Sequence, residues 1–105
     1  MDNGAESVAK ERERQIVGEG FDAIRDAYYV KGELVSAAAC YAAMAQAQVA
    51  SDALKIPTKV HPEIMSLWPW DDSWWKPSPD PVRNLEKAGA LIAAEIDRIR
   101  RSREK

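Results

Sequence analysis

Apolar residues recur along this chain in three stretches with the three- and four-residue steps of an α-helix, and in one long stretch with no period at all. The last stretch is the clearest. Val82, Leu85, Gly89, Ile92, Ile96 and Ile99 fall on one stripe, behind an Asp80-Pro81 pair suited to an N-cap and a first helical position. Arg98, Arg100, Arg101 and Arg103 gather where the helix dipole favours cations, so the pattern predicts a helix over about 80–101. Gly89 within the stripe allows a close crossing, and the helix is expected to pack lengthwise against another. Leu34, Ala38, Tyr41, Ala45 and Gln48 or Val49 predict a helix over 32–50. Its many alanines suit a central position or a subunit interface. A further helix is predicted over 6–18, with Val8, Ile16 and Val17 as its strong apolar contacts and a charged face at Lys10-Glu11-Arg12-Glu13-Arg14. Gly18 and Gly20 end it. Residues 1–5 are expected to fray, and the segment 21–31 reads equally as a short helix or an ordered connector.

The stretch without a period, 51–79, holds most of the prolines and all four tryptophans. Proline removes a backbone donor and biases its predecessor towards extended conformations, so no regular helix is expected to cross this region. A connection this long inside a compact chain is usually packed or functional, and the indoles of Trp68, Trp70, Trp74 and Trp75 provide the means of packing it. The expectation is an all-α fold over residues 1–105, a small bundle of three main helices with the Trp/Pro-rich connector laid on it, assembling as a homo-oligomer.

Composition narrows the function classes. An apolar fraction of 46% and a charged fraction of 30% are ordinary for a folded globular chain, and a net charge of -2 gives no strong signal for nucleic acid or anionic lipid. The one cysteine, Cys40, forms no internal disulfide, and its alanine-rich setting suits an inert thiol. The start of the chain is charged where a secretory segment would be apolar, and Leu34 to Ala50 is too short and too mild to span a membrane. A cytoplasmic location is expected.

The tryptophan segment has two readings, a lid on a small core and an aromatic platform for a planar ligand or a partner protein. Beside it lie Lys76, Arg83, Asn84 and Lys87, with Arg83 and Lys87 four apart on one helix face. Rings next to cations at a helix start are what nucleotide binding requires, and Trp74, Trp75, Lys76, Arg83, Asn84 and Lys87 form the candidate ligand site. A solvated basic face paired with Asp71, Asp72 and Asp80 is the competing reading. The acidic residues Asp22, Asp26, Glu33, Glu95 and Asp97 invite a magnesium reading, but Glu95 and Asp97 are two apart and point to different helix faces. His61 has no supporting ligand nearby. No catalytic residue, metal site or cofactor is assigned.

Several segments carry a resemblance: Glu11-Arg12-Glu13-Arg14-Gln15, Glu19-Gly20-Phe21, Gly32-Glu33-Leu34, Ala37 to Ala42, Trp68-Pro69-Trp70-Asp71, Trp74-Trp75-Lys76-Pro77, and Arg83-Asn84-Leu85 through Lys87 to Arg98. In this order the chain resembles, over roughly residues 11–99, a widespread family of small bacteriophage and prophage proteins. That family carries an acidic, histidine-containing cluster before the Gly-Glu-Leu step. This chain keeps Asp26 but has Arg25, Ala27 and Tyr29 around it, which favours binding over hydrolysis. The resemblance implies a phage accessory protein acting in the host bacterial cytoplasm, non-enzymatic, sequestering a nucleotide-like signal. The alternatives are a protein-binding inhibitor of a host defence or replication enzyme, and a degenerate all-α nucleoside-triphosphate pyrophosphohydrolase.

Overall fold

Capping chemistry sets where each helix begins and ends. The computed structural model describes residues 2–20 and 22–104, and among these it holds five α-helices and a single 3-10 turn, with no strand. Helix α1 spans Gly4–Glu19: the Asn3 side chain accepts from the Glu6 backbone N–H at 2.9 Å, and Glu6 reaches back to the Asn3 N–H. The chain is therefore helical from residue 4, earlier than the frayed start expected, and Asp2 is tied to Lys10 at 2.7 Å. Gly20, at φ 71°, closes the helix in the left-handed region that glycine adopts without strain. The expected frayed residue Met1, and Phe21 at the head of the 21–31 segment, lie outside the described residues, as does Lys105. The 21–31 segment contains a one-turn helix α2, Ala23–Asp26, capped by Asp22.

Helix α3 runs over Glu33–Leu54, four residues beyond the predicted end. Proline restricts only the residue before it, so Pro57 leaves the helix free to continue to Leu54, where Lys55 turns left-handed. The connector then holds a one-turn α4, Pro62–Met65, and the 3-10 turn at Asp72–Trp74. Helix α5 spans Pro81–Arg103, and Asp80 accepts from the Val82 N–H at 3.0 Å as the sequence predicts for an N-cap.

α5 lies between α3 and α1 and packs most extensively on α3, while α1 and α3 scarcely touch. The core joins Leu34, Ala37, Ala38 and Tyr41 of α3 to Ala88, Leu91 and Ala94 of α5, with Tyr29, Trp68, Trp70 and Trp75 packed against it. Each fully buried leucine contributes roughly 1.5–3 kcal/mol, and the alanines let the two backbones come close. That close approach has a consequence for α5. Its buried face is the alanine face, and Val82, Leu85, Ile92 and Ile96 of the apolar stripe remain about half exposed.

The end of the connector is stitched down by Asn84, which is fully buried. Its Nδ2 donates to Gln48 Oε1 at 2.9 Å and to the Ser78 carbonyl at 2.8 Å, and its Oδ1 accepts from the Ser78 N–H at 2.8 Å. Gln48 Nε2 donates to the same carbonyl. These bonds join α3, α5 and the connector at one point. Cys40 is buried, its thiol donates to the Ile64 carbonyl, and burial raises its pKa.

Gly89 receives Val8 of α1. A β-carbon there would stand 2.9 and 3.0 Å from the two Val8 methyls, inside van der Waals contact, and valine has few rotamers with which to yield. Replacing a helix-interior glycine by alanine ordinarily adds ~1 kcal/mol. Gly89→Ala is expected to lower the urea midpoint instead, whereas adding Gly89→Ala to Val8→Ala should raise it. Equal gains in both backgrounds would show that α1 does not cross α5 at this point.

Candidate functional site

A cavity of about 370 Å³ lies over α5 on the side facing the connector. From α1 it is lined by Glu11, Arg14, Gln15 and Glu19, which recur at helical steps of three and four residues. From α5 come Arg83, Lys87 and Leu91, again four apart. The opposite wall is aromatic, formed by Tyr41 of α3 with Trp68, Trp70 and Trp74 of the connector. Arg25, Lys76 and Asp71 complete the rim.

Glu11 is the centre of the polar wall. Its carboxylate accepts from Arg14 through both oxygens, at 2.7 and 2.8 Å, and from Gln15 Nε2 at 3.1 Å. Arg83 Nη2 reaches the same carboxylate at 2.6 Å. Burial alone would push this carboxyl up, but the hydrogen bonds and charges of Arg14 and Arg83 outweigh it and hold its pKa below the usual value. The Arg14 guanidinium is raised in return, its bond to Glu11 outweighing burial. Because Gln15 must present its N–H to Glu11, its amide orientation is defined, and its buried Oε1 has no hydrogen-bond partner.

Asp26 is equally buried, with the opposite result. Desolvation raises its pKa and the charges of Arg12 and Arg101 only partly offset it. Its contact with Arg12 is 3.5 Å long, and its Oδ1 has no hydrogen-bond partner.

The aromatic wall is a network of tilted and edge-on contacts. Tyr41 meets Trp75 at 4.7 Å and Trp68 at 5.8 Å between ring centroids, Trp68 meets Trp70 at 5.5 Å, and Trp70 meets Tyr29 at 5.3 Å. Two cations sit on it. Lys87 Nζ lies 5.3 Å from the Tyr41 ring centre and donates to the Lys76 carbonyl at 2.7 Å, and Lys76 Nζ lies 5.6 Å from the Trp74 ring centre. Burial, then the neighbouring Arg83, lowers the pKa of Lys87. Burial likewise raises the Tyr41 phenol, whose oxygen accepts from the Lys76 N–H.

Of the residues predicted from sequence, Trp74, Lys76, Arg83 and Lys87 line this cavity. Trp75 and Asn84 do not. Trp75 packs between Tyr41 and Trp68, and Asn84 spends its hydrogen bonds on Gln48 and Ser78. Trp68 and Trp70, expected to pack, both pack and line the cavity. Sequence reasoning passed over Glu11, Arg14, Gln15, Glu19, Arg25 and Tyr41. The usable signal was the one aromatic residue in an alanine helix, Tyr41, together with Glu11, Arg14 and Gln15 on one face of α1. The other acidic residues have local structural duties: Asp22 caps α2, Glu33 accepts from the Lys31 N–H, and Glu95 binds Arg98. Among the described residues no three of His, Cys, Asp and Glu gather closely enough to hold a metal ion.

Fold and site together define a small all-helical chain with one cavity walled by guanidinium groups on one side and indoles on the other. No protein-family model matches the sequence, and no curated protein or solved structure matches it significantly.

Removing the Glu11 charge leaves Arg14 with Glu19 and Arg83 with Glu86, and takes from both the carboxylate that joins them. Glu11→Gln is expected to cost about 1.5–3 kcal/mol at pH 7, as weakening hydrogen bonds to a charged group does. A carboxyl with a lowered folded pKa stabilises fully above its unfolded value of about 4.3, and that contribution disappears as pH falls through the folded value. Urea unfolding from pH 7 to 3 should therefore show the gap between wild type and Glu11→Gln constant at neutral pH and closing below pH ~4. A gap that does not narrow at all as the pH is lowered would contradict it.

Proposed function

We propose that this chain is a non-enzymatic binding protein whose cavity holds a small, nucleotide-like anion. One observation carries the reading. Five cations and three carboxylates line the cavity, an excess of two positive charges, in a chain whose net charge is -2. A cleft that concentrates the minority charge attracts the opposite one, and low-dielectric aromatic walls strengthen the field inside it. The volume is near the lower end of the ~300–1,000 Å³ of small-molecule sites, which suits one nucleotide rather than a strand.

Each wall supports a part of the ligand. Trp74 is 57% exposed and offers a free face for a base to stack on, beside Trp68 and Trp70. Arg83, Lys87 and Arg14 supply the charge for phosphate, with Glu11 pre-orienting both guanidinium groups. The likeness to small bacteriophage proteins extends the reading to an accessory protein that sequesters a nucleotide-like host signal. Asn84 and Trp75 then act indirectly, by holding the connector in place.

A second reading, a protein-binding inhibitor, draws on a different surface. A shallow open cavity beside α2 is lined by Ile24, Tyr28 and Val30 with Arg98 and Arg101, and tyrosine and arginine are among the residues enriched at protein hot spots.

Isothermal titration against linear and cyclic nucleotides, with inorganic phosphate and pyrophosphate as controls, tests the first reading. Binding of at least one nucleotide is expected, weakened about tenfold by Trp74→Ala, the ~1.4 kcal/mol of one stacked base. Lys87→Met should weaken binding and reduce its salt dependence. No heat with any nucleotide, or pyrophosphate release from a nucleoside triphosphate, would sink the proposal.

A further inference from the structure

We infer that the chain forms a two-fold antiparallel homodimer through the joint outer face of α3 and α5, opposite the cavity. Val82, Leu85, Ile92 and Ile96 of α5 are 44–58% exposed, and so are Val35 and Val49 of α3. At about 100° per residue, Leu85, Ile92 and Ile96 share one narrow arc of α5, far round from Lys87 and Leu91, which line the cavity. On α3, Val35, Ala42 and Val49 share an arc on the other side of the α5-facing Leu34, Ala38 and Ala45 from Tyr41. Tyr41 and Leu91 mark the cavity side of the two helices, so both apolar arcs lie on the reverse side, next to each other.

This face carries no charge, although 30% of the chain is charged. No Asp, Glu, Lys or Arg occurs between Glu33 and Asp52, and the α5 stripe from Val82 to Ile99 has none either. A soluble chain exposing a contiguous patch of this kind marks an interaction site. The patch extends about 25 Å along helices roughly 9 Å apart, and with side-chain relief it approaches the ~800 Å² per partner of a stable dimer.

Three features select a second copy as the occupant. The steps 82, 85, 89, 92, 96 and 99 alternate three and four, the seam of paired helices. An uncharged face juxtaposes no like charges when it meets itself, and isologous two-fold pairing is the commonest assembly. The stripe is flanked by Arg100 and by the half-buried Glu86, which also pairs with Arg83 at 3.2 Å, each seven residues from Ala93. An antiparallel axis near Ile92 and Ala93 sets Glu86 against Arg100 of the partner subunit, twice over. A parallel pair would set like against like. Val8, seated over Gly89, fills the one gap in the stripe from within the chain.

Single cysteines test both the contact and its direction, since the native Cys40 is buried and does not compete. Under mild oxidation Ile92→Cys, beside the axis, should cross-link to its own copy. Leu85→Cys should not, because seven residues on either side of the axis separate the two by about 20 Å. Sedimentation should give twice the mass of one chain, and Ile92→Asp with Ile96→Asp should give one, with helical circular dichroism unchanged. A wild-type monomer at high concentration, a dimer that survives the double aspartate substitution, or efficient Leu85→Cys cross-linking would each overturn the inference. Should the aspartate variant fail to fold, the cysteine pair decides alone.

Discussion

The buried carboxylate of Glu11 is the constraint on which the rest of this arrangement depends. Helix α1 brings few large apolar side chains to its neighbour, and Val17 is among its exposed residues. What fixes its position on α5 is Val8 over Gly89 and one carboxylate that has lost its water. A desolvated carboxylate stays ionised only if donors replace that water, and Glu11 receives them from Arg14, Gln15 and Arg83. Ion pairs of this kind add little net stability over a well-packed apolar alternative. Their effect is on register, because a slip of one residue in α1 would part the buried charge from Arg83 of α5. The same contacts stand two guanidinium groups along a cavity wall, so the bond that positions the helix also shapes the site.

The opposite wall arises from a shortage. Leu34 and Leu91 are the largest fully buried aliphatic side chains, and the rest of the helical core is mainly alanine. Indoles from an aperiodic connector make up the difference by covering Tyr41 from one side. Rings that meet edge-on and tilted do not tile a surface as stacked plates would. They leave re-entrant space beside Tyr41, into which Lys87 projects. Packing and lining are therefore not alternatives for Trp68 and Trp70.

Much of the fold was legible because it rests on local chemistry. Asp80-Pro81, Gly20 and Gly32 sit at helix boundaries for reasons contained within a few residues. The end of α3 ran past its predicted limit because proline acts on its immediate neighbour and no farther. The α5 stripe was legible as a stripe, but not which face would turn inward. That was decided by alanine on α3, whose smallness makes the alanine face of α5 the closer fit. The cationic start of α5 could be read from the spacing of Arg83 and Lys87. The Glu-Arg-Glu-Arg-Gln tract of α1 could not, since charge on a helix ordinarily signals solvent. Its burial depends on Arg83, some seventy residues away in sequence.

Glu11 and Asp26 show how little burial alone decides. Both are removed from water, and both face arginines. One has its pKa lowered and the other raised. Glu11 accepts short bonds through both oxygens, whereas Asp26 meets Arg12 at 3.5 Å and keeps an oxygen with no hydrogen-bond partner. Donor geometry, more than depth, sets the direction of the shift. The packing around α5 gives its Glu11 end a positively biased cavity and its other end an open groove beside a one-turn helix. It also leaves α5 with three differently composed faces: charged towards the cavity, alanine towards α3, isoleucine outward. Within its own chain that third face meets Val8 of α1 at Gly89, while Leu85, Ile92 and Ile96 beside it stay about half exposed.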